Sequence, residues 1–369
     1  MTPAATPATT PAASTRKAAA SPEADADAPP WRRLGRWWPA LVLVALVTAP
    51  FSSLSLPGLL DGPIGSAGSL QLLALCLVFG ALATGYDLLL GHTGLLSFGH
   101  ALYFAAGSYS TELIAAEAGL PFWPSAVLGV LCGVALAWAL GSVALRVSGI
   151  AFSMVTLAFA QAGSILVERD PGGVTGGEEG RAVPADKLPA SLAGIDHTAN
   201  LYWIALAYLV LTLAVVRWAV RSPTGRVWEG IRDNETRVEV LGLRPYGFKL
   251  VAFVVAGALA AVGGVVHLLL TGGATPQTTT SDFTLSLLVM VVLGGSGSRW
   301  GPLLGGVLYT WADHRLGDLA GSDAVSGLPS VLRVPLSQPL FLLGTLFVVT
   351  VVALPGGLTR LGRRPRVRA

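Results

Sequence analysis

Residues 67–90 read AGSLQLLALCLVFGALATGYDLLL, and this stretch decides the fold class. It has no Lys, Arg or Glu, and its one charged residue, Asp87, stands near the end. A bilayer's hydrocarbon core takes roughly 20 apolar residues of helix per crossing. In that medium every backbone N–H and C=O must be bonded within the protein. A run of this length and composition is therefore predicted to be a membrane-spanning helix.

Working outward, further apolar runs lie at about 39–56, 98–117, 124–145, 149–167, 200–220, 249–271, 283–297, 301–317 and 336–354. Over the whole chain of 369 residues, 53% are hydrophobic and 12% charged, where a soluble domain carries about 25% charged residues. The expectation is an all-α, polytopic membrane helical bundle with about ten transmembrane helices. Cys76 and Cys132 lie far apart inside apolar runs, without metal-site or redox spacing, and read as small core residues.

The ends differ from the middle. Residues 1–30 are rich in Ala, Pro, Thr and Ser, with no apolar periodicity, and are expected to form a disordered tail. The first apolar run follows Arg32, Arg33 and Arg36 and has no small-residue cleavage site close behind, so it reads as a retained helix. Residues 31–356 then form the transmembrane domain, and 357–369 a basic tail. With the N-terminus inside, ten crossings place all but five of the 24 Lys and Arg residues inside; the five are Arg169, Arg181, Lys187, Arg315 and Arg333. By the positive-inside rule, both termini are expected to be cytoplasmic. The net charge of +3 is a matter of topology and gives no sign of nucleic acid as a partner.

Two hydrophilic loops stand out. The inside loop, 221–248, contains SPTGRVWEGIRDNETRVEVLG from Ser222. Ser222-Pro223 opens a helix, Asp233 or Asn234 caps a second, and Gly242 ends it. Its charges are of mixed sign, which suits a protein partner better than a face on anionic lipid. Gly225, Arg226, Trp228, Ile231, Arg232, Glu235 and Gly242 are its candidate docking residues, with Trp228 and Ile231 as apolar anchors. The outside loop, 169–199, contains TGGEEG, and Thr175, Gly176, Gly177 and Glu179 are candidates for contact with an extracytoplasmic partner.

The chain offers no motor. It has no phosphate-binding G-x-x-x-x-G-K-[ST], no metal spacing such as H-E-x-x-H and no G-x-S-x-G elbow. An enzyme is therefore not expected, and no cofactor is expected on this chain. The ionisable residues within spans are few: Asp87, Glu112, Glu117 and Asp313. Intramembrane charges are expensive and tend to be functional, and Asp87 reads either as a pathway group or as a cap for backbone groups. Gly91, Gly94 and Gly99 allow a break in the helix. Freed backbone groups there, with Ser97, Phe98 and His100, could bind a carboxylate. The alternative is a close glycine-mediated helix contact.

Several stretches together resemble the ABC-importer permeases of the branched-chain amino-acid class, LivM type. They are GYDLLLGHTGLLSFGHALYFAAGSY from Gly85, GIAFSMVTLAFAQ from Gly149, TGGEEG from Thr175, the inside loop running on to KLVAFVVAGALAAVGGVV from Lys249, and LLVMVVLGGSGSRWGPLLGG from Leu287. They stand in the family's order and cover roughly residues 70–355. The resemblance implies the ABC importer permease fold and half of a translocation pathway for a branched-chain or related amino acid. It implies a second permease subunit of LivH type, two ATPase subunits holding ATP and magnesium against the inside loop, and an extracytoplasmic solute-binding protein. It also implies the inner membrane. Asp87 stands where the family often has Asn, Glu178 and Glu179 where an Asp-containing loop is commoner, and Tyr103 where a Phe is common. Urea and short-amide importers share the architecture and remain alternatives; an ion-coupled secondary carrier is the reading from another class.

Overall fold

The computed structural model describes residues 40–55, 62–184, 186–192, 194, 197–320, 338–353 and 356–360. The expected disordered tail, 1–30, and most of the basic tail, 357–369, lie outside the described residues. Residues up to Ala49 form a unit separate from Pro50 onward. The described part of the first unit belongs to α1 (Ala40–Phe51), a short apolar helix. Everything below concerns the second unit.

There the helices follow the apolar runs: α2 (Ala67–Asp87), α3 (His100–Glu117), α4 (Phe122–Ala144), α5 (Ile150–Arg169) and α6 (Thr198–Arg221). Next come the short α7 (Pro223–Asp233) and α8 (Glu235–Val240), then α9 (Pro245–Thr271), α10 (Ser281–Gly294), α11 (Gly301–Ala320) and α12 (Pro339–Ala353). Among the described residues, α2 with its continuation to Thr93, α4, α5, α6 and α9 are long and apolar enough to cross a membrane, and Ser281–Gly294 is shorter. The chain is an all-α polytopic membrane protein.

Burial sorts these helices. The most apolar stretch of α2 is 83% buried and that of α9 is 72% buried, against 28% for α4, 28% for α5 and 39% for α6. A helix apolar all round belongs in the centre, and α2 and α9 occupy it, with α3 packed on both α4 and α9 and α11 on α2. Lipid gives apolar helices little reason to associate, so contact relies on close approach of small residues. A Cβ on Gly264 of α9 would collide with the carbonyl of Phe104, and one on Gly107 with the carbonyl of Ala261. Gly306 of α11 brings its backbone against Gly80 of α2 in the same way. The peripheral helices present apolar faces outward. Trp123 at the start of α4 and Trp218 near the end of α6 are exposed, as expected of aromatic residues at membrane–water boundaries. Cys76 is buried in α2, but Cys132 is exposed. The expectation of two core cysteines fails for Cys132 because α4 lies at the edge of the bundle.

Candidate functional site

At Leu88, α2 widens into a π turn, Leu88–Thr93, closed by Gly94 in the left-handed conformation (φ 74°). Such turns expose backbone carbonyls that a regular helix would bond. Three distant segments meet there. The Asp87 carboxylate accepts from the backbone N–H of Gly297 at 2.9 and 3.2 Å. His92 Nε2 lies 4.0 Å from Asp87 Oδ2. Arg232, from α7, donates to the carbonyl oxygen of Gly91. Gly91 has to be glycine, since a Cβ would collide with the Asp87 carboxylate and the Gly297 nitrogen. In this conformation the Asp87 carboxylate therefore holds a backbone group.

The break at 94–99 is real, and neighbouring helices bond several of its backbone groups. Tyr86 Oη donates to the Ser97 carbonyl at 2.8 Å and Ser153 Oγ to that of Leu96 at 2.7 Å. Thr156 Oγ1 accepts from Phe98 N at 3.0 Å, and Thr284 Oγ1 from Ala101 N at 3.0 Å. Ser97 and His100 are completely buried. The His100 ring sits 4.8 Å from Tyr86 and 5.9 Å from Tyr103, centroid to centroid. In this conformation Ser97, Gly99 and His100 therefore do not form an open carboxylate site. Neighbouring helices bond part of the half-helix end, Phe98 is partly covered, and both His100 ring nitrogens are buried without a hydrogen-bond partner.

At the opposite end, α5 stops at Asp170, which has φ 42°. Its carboxylate accepts from Val174 N at 2.6 Å, Thr175 N at 2.8 Å and Gly176 N at 3.1 Å. These N–H donors, that of Thr175 foremost, hold its pKa below the usual carboxylate value. Arg181 follows in β1 (Arg181–Ala182), which pairs with β2 (Gly273–Ala274). It bridges buried Glu112 at 3.0 Å and exposed Glu117 at 3.2 Å, and it donates to the Val174 carbonyl at 2.8 Å. Thr175, Gly176 and Gly177 are spent on the loop's own geometry, while Glu178 and Glu179 are exposed. Asp170 was not among the expected site residues, although Asp-Pro-Gly-Gly (170–173) is a turn signature that announces it.

The inside loop folds as its caps imply. Ser222 Oγ accepts from Gly225 N at 3.2 Å and Asn234 Oδ1 from Arg237 N at 3.0 Å. Gly242 takes φ 83°. The expected anchors do something else. Trp228 is 1% exposed and Ile231 5% exposed, and Trp228 Nε1 donates to the Phe248 carbonyl at 2.8 Å. These side chains fasten α7 to its own bundle and are not available to a partner. Gly225 lets α7 abut the Val220 carbonyl. Arg232 belongs to the Gly91 contact, and Glu235 pairs with Lys249. Arg226 is exposed, and the most exposed apolar residues of the loop are Val240 and Leu241, with Leu243 and Tyr246 exposed to a lesser degree.

Residues 68–351 match the model of the family described as the permease component of the branched-chain amino acid transport system. The chain belongs to that family. The permease is 31% identical over 265 residues to the high-affinity branched-chain amino acid transport system permease protein LivM of Escherichia coli, covering 66% of this chain and 62% of that protein. The permease thus spans less than two thirds of that relative's length. It is 27% identical over 260 residues to the autoinducer 2 import system permease protein LsrC of Yersinia pseudotuberculosis, 68% of each chain. No solved structure matches. Both relatives are named as transport permeases, and this chain is a multi-pass membrane protein of the permease-component family.

Proposed function

We propose that this permease forms half of the translocation pathway of an ABC importer for a branched-chain amino acid. A LivH-type subunit forms the other half, two partner ATPases supply ATP and magnesium, and an extracytoplasmic binding protein delivers the solute. Both termini face the cytoplasm. One observation carries the mechanical part: α7 is locked to the end of α2 and to the glycine-rich turn through Arg232, Gly91, Asp87 and Gly297. A force applied to α7 and α8 reaches α2, which runs through the buried centre of the bundle. Val240 and Leu241, with Arg226, are the surface an ATPase would grip, since a few anchors dominate such contacts. On the other side Glu178 and Glu179 face the binding protein.

Contacts within the fold favour this topology. Gly91, Arg232 and Gly297 meet one another, and all belong to segments assigned to the inside. Glu112, Glu117, Arg181 and Ala274 meet one another at the ends assigned to the outside. The similarity to LsrC makes a small non-amino-acid solute the second reading. Co-purification with the products of neighbouring genes, followed by binding assays on the associated solute-binding protein, tests the substrate. Leucine, isoleucine or valine bound at low micromolar concentration or below supports the first reading. Their failure to compete with another bound solute would overturn it.

A further inference from the structure

A cavity of about 260 Å³ lies between the last turns of α2 and α6 and the glycine-rich turn around Gly297. Arg217, Arg221 and Arg299 line it together with Asp87 and His92. Among the described residues none of the three guanidiniums is paired with a carboxylate. The Asp87 carboxylate is already engaged by the Gly297 N–H. Basic residues at a helix C-terminus complement its dipole, which accounts for Arg217 and Arg221. It does not account for Arg299, which arrives from another segment and sits 5.5 Å from the Trp300 ring. Nor does it account for the hollow between them. Leu213, Val216 and Val220 complete an apolar wall on α6.

We propose that this cavity binds the phosphate headgroup of an anionic phospholipid. Guanidinium forks match phosphate oxygens, and basic pockets between transmembrane helices on the cytoplasmic side suit acidic headgroups. The apolar wall fits the glycerol and first methylenes of a lipid and has no use for a free phosphate. Trp218, exposed on α6 beside Arg217, marks this level as a membrane boundary. The assignment rests on the topology proposed above. A headgroup held there would brace the Asp87–Gly297 contact and, through it, the seat of α7.

Native mass spectrometry of the full chain in detergent, titrated with phosphatidylglycerol, phosphatidylcholine or glycerol phosphate, tests this. Phosphatidylglycerol should be retained over phosphatidylcholine on the order of ten-fold. The preference should vanish in R217Q/R221Q/R299Q and persist in R237Q, whose residue does not line the cavity. If the triple variant does not fold, R299Q alone should weaken the preference, and R299K, which keeps the charge but loses the fork, should weaken it less. Equal retention of the two lipids overturns the proposal. So does an undiminished preference in the glutamine variants, or glycerol phosphate bound as well as phosphatidylglycerol, which would mean a site for soluble anions. No ATPase or transported solute enters the assay, so a failure here leaves the transport reading standing.

Discussion

Arg232 and Gly91 are 141 residues apart, and the guanidinium of the first donates to the backbone carbonyl of the second. That contact joins a helix outside the bundle to the π turn that ends its central helix. It gives Arg232, which is itself exposed, a connecting role beside that of an orienting charge. Arg232→Ala should therefore lower ATP-driven uptake by at least about ten-fold, since a hydrogen bond to a charged group contributes about 1.5–3 kcal/mol. Arg237→Ala, an exposed charge on α8, should change uptake less than about two-fold. Uptake assays on the two variants at matched membrane levels make the comparison; equal effects would contradict it.

Gly91→Ala places a methyl group against the Asp87 carboxylate and the Gly297 nitrogen. Overpacking of this kind costs about 1–3 kcal/mol. The variant should reach the membrane, lose thermal stability in detergent and transport poorly. Gly242→Ala offers a control for general glycine sensitivity, since no neighbour lies within 4 Å of its added Cβ although its φ is 83°. It should show only the modest strain of a left-handed alanine.

Much of this fold was legible in the sequence. Each of the ten apolar runs contains a helix, because apolar composition marks the segments that enter the bundle, although among the described residues only five are long and apolar enough to cross a membrane. Ser222, Asn234 and Gly242 announced the ends of α7 and α8 because caps act locally. What a buried face packs against is another matter. The apolar pattern of α7 showed that Trp228 and Ile231 would be covered, but not that Phe248 and the bundle, rather than a partner, would cover them. Asp87 reaches Gly297 across 210 residues, and no local pattern encodes that distance. The glycines at 91, 94 and 99 signalled a break, while the threonines that fill it, Thr156 and Thr284, lie on other helices.

The burial of Ile231 changes what its substitution reports. Ile231→Asp puts a carboxylate among apolar neighbours, so it should destabilise the chain itself and lower its melting temperature. Leu241→Asp, at a position 74% exposed, should leave the stability of the chain within about 0.5 kcal/mol of wild type yet weaken retention of the ATPases in a pull-down. The reverse pattern would return the docking surface to the face of α7 that carries Ile231.

Arg181→Ala removes the partner of Glu112, which is 1% exposed. Breaking a buried pair on one side costs about 3–5 kcal/mol, and the lower end applies because Arg181 is partly exposed. Adding Glu112→Gln should recover a large part of the loss, as denaturant unfolding in detergent would show. No recovery would mean that Arg181 acts through Val174 and Glu117 instead.

Asp170 sets the acid response of the outer loop. Its folded pKa is depressed, so its contribution is fully present above the ordinary carboxylate value of about 3.9. It is lost as pH falls through the lower folded value. Protection of the Val174, Thr175 and Gly176 amides from hydrogen exchange should therefore hold at pH 5 and fade only below about pH 3.9. In Asp170→Ala it should be weak at every pH. Protection that fades between pH 7 and 5 would implicate a different group.

On the proposed function, this chain transports only when partner ATPases act through α7 and α8. The chain should be reconstituted in proteoliposomes with its second permease subunit, ATPases and solute-binding protein, and uptake of radiolabelled leucine followed with and without internal ATP. Uptake should require both ATP and the binding protein, and Leu241→Asp should abolish it while the binding protein still docks. Uptake by the isolated chain driven by an ion gradient, without ATP or partners, would contradict the account.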